Sequence, residues 1–312
     1  MRNAFLRSIT DVAGRDDRVL LLTADLGFKI FEDFAARFPK RFLNVGVAEA
    51  NMASMAAGLA MGGLRPYIYS IVPFATMRCF EQIRDDVCYN NVPVTIVGVG
   101  GGYSYGHNGP THHALEDIAL MRVLPNMTVV CPGDPMEVAM AVQSSLTHDG
   151  PLYLRLGRAG DPVVHQQPPP FAFGRAITVR EGSDCCLIST GGMLPVAVAA
   201  AEWLQAAGIT SRVISMHTVK PLDEAVIQRC MEDGIPVFTV EEHYRAGGLG
   251  SAVAEYMAST GKVGALHLLG VAPDFAQTTG DQAYLRQQHG LSADQVAERV
   301  RAVLQGTVSH AD

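Results

Sequence analysis

The chain has 312 residues, 48% hydrophobic, 18% charged and only 7% aromatic. That is room for two ordinary domains with aliphatic cores, and it excludes a disordered segment, a collagen-like repeat and a disulfide-stapled miniprotein. With 24 Lys and Arg against 31 Asp and Glu, the net charge is −7 and no basic run reaches five residues, which excludes the basic stripe of a duplex-binding protein.

The N-terminus, MRNAFLRSITDVAGRDD, has no ten-residue apolar stretch and no small-residue cleavage site, so no secretory signal is read there. The longest apolar runs, 55–64 and 193–201, fall short of the ~20 residues a membrane helix needs. The expected setting is cytoplasmic, with no membrane and no nucleic-acid partner. Strands are predicted at 19–25, 67–72, 94–100, 127–133 and 152–156, with helices over Glu49–Met61, 80–89 and 135–146 between them. Apolar strands alternating with helices predict a parallel sheet covered on both faces. HQQPPPFAFG (165–174) holds three consecutive prolines and reads as an extended linker. Beyond it the pattern resumes, with strands at 184–190, 211–216, 237–243 and 265–271 and helices over 194–207 and 250–260. A final helix starts at Ser292, with Gln295 spaced for a capping box. The predicted fold is therefore α/β with two domains, 1–164 and 175–312, each a mostly parallel sheet flanked by helices. Cys185 and Cys186 lie in an apolar run and read as buried thiols.

Three segments carry candidate chemistry. Glycines 98 and 100–102 follow a strand, but YSYGHNGPTHH replaces the helix that a dinucleotide site needs, and no GxxxxGK[ST] is present. In NVGVAEANMASMAAGLAMGG (44–63), one carboxylate, Glu49, opens a helix of small residues. It is either a first-turn residue complementing the helix dipole or a functional acid. YSYGHNGPTHHALED (103–117) gathers His107, His112 and His113 between a strand and a helix. Without an HExxH frame or neighbouring cysteines they are not read as metal ligands. They suit either solvated loop positions or proton transfer to a polyol or carbonyl. His217 and His243 read as structural.

GVAEANMASMAAGLAMGGLRPY, FATMRCFEQIRDD and HNGPTHHALEDIALMRVLPNMTVVCPGDP together resemble the pyrimidine-binding domain of transketolase-like thiamine diphosphate enzymes. GGMLPVAVAAAEWL, VISMHTVKPLD and VEEHYRAGGLGSAVAE resemble that family's C-terminal domain, in the same order, so the resemblance spans residues 1–305. It implies that Glu49 is the acid that hydrogen-bonds the cofactor's aminopyrimidine, that Phe74 stacks on this ring and that Arg78 lies beside the cofactor. His112 matches the histidine of the family's GPTH string, facing substrate oxygens, with His107 and Asn108 in the same loop. Arg158 matches the arginine that grips substrate phosphate, with Arg155 as a second candidate for phosphate or sulfonate. Two departures stand out: Asn108 replaces the family's aspartate, and Gly100 and Gly101 replace its His-Asp pair. Sugar choice is expected to differ accordingly.

The family holds Mg²⁺ and diphosphate on a further domain carrying Gly-Asp-Gly. The nearest strings here are GDP (133–135) and GDQ (280–282), so no metal site is assigned to this chain. The resemblance thus implies the C-terminal subunit of a split transketolase, active with an N-terminal diphosphate-binding partner as an α2β2 heterotetramer on an anionic sugar. The alternatives are the β subunit of a 2-oxo acid dehydrogenase and a non-catalytic stabilising subunit.

Overall fold

In the computed structural model of the chain, residues 1–27, 29–261 and 264–306 are described; the last six residues of the predicted second domain lie outside them. VLLLT and LYLRL are buried at every position, as strands covered on both faces must be. They are β1 (Val19–Thr23) and β6 (Leu152–Leu156), and between them come β2 (Phe42–Asn44), β3 (Arg65–Ile71), β4 (Thr95–Val99) and β5 (Thr128–Val130). These six pair in parallel in the order β5-β6-β4-β3-β1-β2. Leu20, Leu22, Ile68 and Ile96 meet the small residues of the helix Glu49–Met61 on one face. On the other, Leu21, Tyr67, Val97 and Leu154 meet the helices Arg2–Ala13 and Pro135–Ser145.

The second half carries β7 (Ile177–Arg180), β8 (Cys185–Ser189), β9 (Ser211–Ser215), β10 (Thr218–Lys220), β11 (Val237–Tyr244) and β12 (Leu266–Val271). Five of these form a sheet ordered β12-β11-β8-β9-β7, parallel except for β7. The predicted fold class, two mostly parallel sheets flanked by helices, is the one observed. The sixth strand behaves differently. β10 leaves its own half and pairs antiparallel with β5, covering what would otherwise be an open sheet edge. Lys220 Nζ extends the weld by donating to the carbonyls of Arg122 and Leu124.

Several boundaries differ from the predicted ones for local reasons. β5 stops at Val130 because the chain turns into Asp134, whose Oδ1 accepts from Met136 N and Glu137 N and caps the helix Pro135–Ser145. The segment 80–89 splits into one α-turn, Phe80–Gln82, and a π-helical stretch, Ile83–Cys88. The Ser292–Gln295 capping box is present. Segment 165–174 forms no helix, but it bends at 166–167 and turns at 173–174 rather than staying extended, and it is pinned to the body: Asp134 Oδ2 accepts from Val164 N and His165 N, both at 3.0 Å, and Phe171 stacks on His217 at 4.1 Å.

All six cysteines are free and buried. His243 is buried as a neutral ring that donates from Nδ1 to Tyr244 O (2.7 Å) and accepts from Ala119 N at Nε2 (3.3 Å). Burial pushes it down to about 4, against the pull of Asp117. An unfolded histidine titrates near 6.5. The stabilisation from neutral burial is therefore complete above that pH and is lost as pH falls toward 4, on the order of 3 kcal/mol. Urea midpoints between pH 7 and 4.5 are expected to fall more steeply for the wild type than for His243→Asn; parallel profiles would show that another group governs the acid loss.

Candidate active site

The turn into the Glu49 helix is built by Asn44 at the end of β2, whose Oδ1 accepts from Asp25 N (3.0 Å) and Gly46 N (3.1 Å). Gly46 has φ +74, a left-handed conformation that glycine adopts without strain. Glu49 then opens the helix Glu49–Met61 with only 1% of its surface exposed. Its Oε1 faces Ser70 Oγ at 3.4 Å, and its Oε2 accepts from Arg78 Nη1 at 2.8 Å.

Ser70 belongs to β3, and the chain passes from β3 directly into the short helix Val72–Thr76, with Pro73 in its first turn. That turn places Phe74 and Arg78 four residues apart. The Arg78 guanidinium carbon lies 4.2 Å from the centre of the Phe74 ring. Phe74 in turn meets His112 edge-on at 5.3 Å. Four of the predicted site residues, Glu49, Arg78, Phe74 and His112, are thus brought into one continuous cluster from three segments. A buried carboxylate and an aromatic face bridged by one flat guanidinium fit a planar heterocycle bearing ring nitrogen and N–H, such as an aminopyrimidine.

The loop 100–113 lies between the end of β4 and the second domain. Gly100 has φ +91, and a Cβ there would fall 2.2 Å from the Tyr105 ring; at Gly101 a Cβ would fall 2.8 Å from the Arg155 guanidinium. The absence of side chains at these two positions is therefore matched by Tyr105 and Arg155 filling the space. His107 and Asn108 are exposed on a 3₁₀ turn, Gly106–Asn108, while His113 is buried with Nε2 3.1 Å from Gly106 O. His112 is half-buried, its Nδ1 3.0 Å from Thr111 Oγ1.

The two arginines at the end of β6 part company. Arg158 is exposed. Arg155 is 5% exposed: Nε donates to Asp117 Oδ2 (2.7 Å), and Nη2 to Asp117 Oδ1 (3.2 Å), Ala114 O (2.8 Å) and Glu242 O (3.1 Å). Burial works against its charge, yet Asp117 beside it keeps the guanidinium firmly protonated. Arg155, offered by the resemblance as a second candidate for the anionic end of the substrate, is here enclosed in an ion pair with Asp117. One residue that the sequence reading passed over, Arg2, bears on the same loop. The charges of Arg2 and Arg158 both act on the Tyr105 hydroxyl, easing the rise that burial imposes on it, and Arg2 Nε is buried without a hydrogen-bond partner. Two guanidinium charges thus act on Tyr105.

Residues 1–160 match the transketolase pyrimidine-binding domain and residues 174–296 the transketolase C-terminal domain. The chain belongs to the transketolase family. It is 37% identical over 305 residues to the 6-deoxy-6-sulfo-D-fructose transketolase subunit SqwH of Clostridium sp. (strain MSTE9), covering 97% of this chain and 94% of that one. It is also 37% identical to the 1-deoxy-D-xylulose-5-phosphate synthase of Pelotomaculum thermopropionicum, over 96% of this chain but 47% of the relative. A solved split gene transketolase, described as an inactive beta4 tetramer, superposes with a TM-score of 0.90 at 36% identity, covering 97% of this chain and 98% of its own. Transketolase-family enzymes use thiamine diphosphate and a divalent cation. Among the described residues, no helix is long and apolar enough to cross a membrane, and no group of three or more His, Cys, Asp or Glu is placed to hold a metal ion.

Proposed function

We propose that this chain is the pyrimidine-binding subunit of a two-chain transketolase, moving a two-carbon ketol unit from a ketose with an anionic terminus to an aldehyde acceptor. The observation that carries this reading is Glu49, a nearly inaccessible carboxylate joined through the Arg78 guanidinium to the face of Phe74 and, beyond it, His112. Bound thiamine diphosphate supplies the electron sink for breaking and forming the carbon–carbon bond. Glu49 would share a proton with the ring nitrogen of the aminopyrimidine, and Phe74 would hold that ring flat. His112 would hydrogen-bond the substrate oxygens next to the bond that breaks. Arg2 and Arg158 would grip the phosphate or sulfonate end, and the exposed Asn108 and His107 would meet sugar hydroxyls.

Mg²⁺ and the diphosphate fall to a second chain in this reading. The aspartates of the two Gly-Asp strings have other work: Asp134 caps the helix Pro135–Ser145, and Asp281 caps Gln282–Gln288 through Tyr284 N at 2.8 Å. A solved relative described as an inactive beta4 tetramer supports a partner requirement, met here by an α2β2 assembly. The test is ketol transfer by the purified chain, with thiamine diphosphate, Mg²⁺ and a ketose donor, against the complex co-purified from its native cell. Turnover is expected only in the complex, and substantial turnover by the chain alone would sink the two-chain reading. The likeness to 1-deoxy-D-xylulose-5-phosphate synthase favours one second reading, synthesis of 1-deoxy-D-xylulose 5-phosphate, which formation of that product by the same complex would reveal.

A further inference from the structure

We propose that Arg78 is a displaceable plug, occupying in this chain both places that the cofactor's pyrimidine would take. This rests on the reading of Glu49 and Phe74 given above and adds a competitor within the same site. The Arg78 guanidinium donates to Glu49 Oε2 at 2.8 Å while lying 4.2 Å from the centre of the Phe74 ring. A flat group that presents N–H to a carboxylate and its face to an aromatic ring is, in shape and hydrogen bonding, a stand-in for an aminopyrimidine. The two cannot hold Glu49 Oε2 and the same aromatic face together.

The contrast with Arg155 shows why Arg78 can leave. Arg155 is 5% exposed and its Nε and Nη2 are held by three residues from two domains. Arg78 has 46% of its side chain exposed, whereas its Glu49 partner has 1%. Its long stem can carry the charge back into water, so displacement uncovers Glu49 without unpacking the core. The plug also has a use in the unloaded chain. A carboxylate this buried is costly when unpaired, and Arg78 supplies a counter-charge until the ring arrives. Arg78 is therefore a positioning residue that sets cofactor affinity through Glu49.

The test uses the full chain and the probe 4-amino-5-hydroxymethyl-2-methylpyrimidine, with binding followed by titration calorimetry or ligand-observed NMR. Arg78→Met is expected to bind the probe about tenfold more tightly than the wild type, since a charge-assisted hydrogen bond no longer competes. Arg78→Lys, which keeps the charge but loses the flat fork, is expected to fall between. Unchanged or weaker binding by Arg78→Met overturns the plug, whereas a residue that merely supported the fold would never tighten binding when removed. If the probe binds too weakly to measure in every variant, thiamine diphosphate is titrated calorimetrically into the co-purified complex. A tenfold lower dissociation constant in the Arg78→Met complex supports the plug, and an equal or higher one overturns it. Glu49→Gln, added to Arg78→Met, separates the two levels. Loss of the gained affinity upholds Glu49 as the ring's partner, and an unchanged gain refutes that reading while leaving Arg78 as the occupant of the Phe74 face.

Discussion

Replacing Glu49 by Gln in the assembled enzyme is expected to cut ketol-transfer turnover by about 10²–10⁴-fold, the range a positioned acid or base contributes. Gln keeps the volume and one carbonyl oxygen of the carboxylate, so packing around this 1%-exposed side chain changes little. What it removes is the ability to share a proton with a ring nitrogen. The structural loss is the helix-dipole contribution of a first-turn acid, ~0.3–1 kcal/mol, together with the ion pair to the half-exposed Arg78, and no buried charge is left unpaired because Gln is neutral and the Arg78 stem can carry its charge into water. Assembly should therefore survive, as size-exclusion mass measurement of the complex would check. Full turnover in an intact Glu49→Gln complex would remove this chain from the chemistry and favour the stabilising-subunit alternative.

Glu49 also shows how much of the site was legible in the sequence. Residue type and position alone left it between a dipole-complementing acid and a catalytic one. The family resemblance assigned the role, and the fold supplies what neither could, namely burial and a defined set of partners. The helix Glu49–Met61 itself was readable to the residue, because Ala and Met dominate it and Gly62 and Gly63 close it. β10 was not readable: three residues, TVK, carry no period, and their pairing with β5 is decided by an open edge contributed by the other half of the chain. Arg2 was invisible for a similar reason, since nothing in MRNAF says that its guanidinium will lie near Tyr105. Arg155 did carry a signal that the reading underused. It is the one charge in LYLRL, and an arginine inside a strand buried on both faces must have a buried partner. The partner, Asp117, is 38 residues away, in the helix Asp117–Val123 that follows the histidine loop.

That pair carries the largest expected effect on stability. Asp117 is fully buried and accepts from Arg155 Nε and Nη2 and from Tyr153 Oη (2.6 Å). Arg155→Met leaves the carboxylate without its counter-charge and strips donors from Ala114 O and Glu242 O, for which about 3–5 kcal/mol of destabilisation is expected. The damage should reach the seam between the two halves. Glu242 is held by Arg286 Nη2 at 2.8 Å and by Gln282 Nε2 at 2.9 Å, and Gln282 also reaches Ser104 Oγ in the histidine loop. Adding Asp117→Leu to Arg155→Met should restore part of the loss, because two apolar residues bury no unpaired charge. Denaturant midpoints of the full chain, read separately from the donor KM of the complex, decide the point. A large drop in midpoint for Arg155→Met that the double variant partly repairs marks an ion pair holding the two domains in register. An unchanged midpoint with a raised KM for anionic donors would return Arg155 to the substrate, and the enclosure described above could not then be its function.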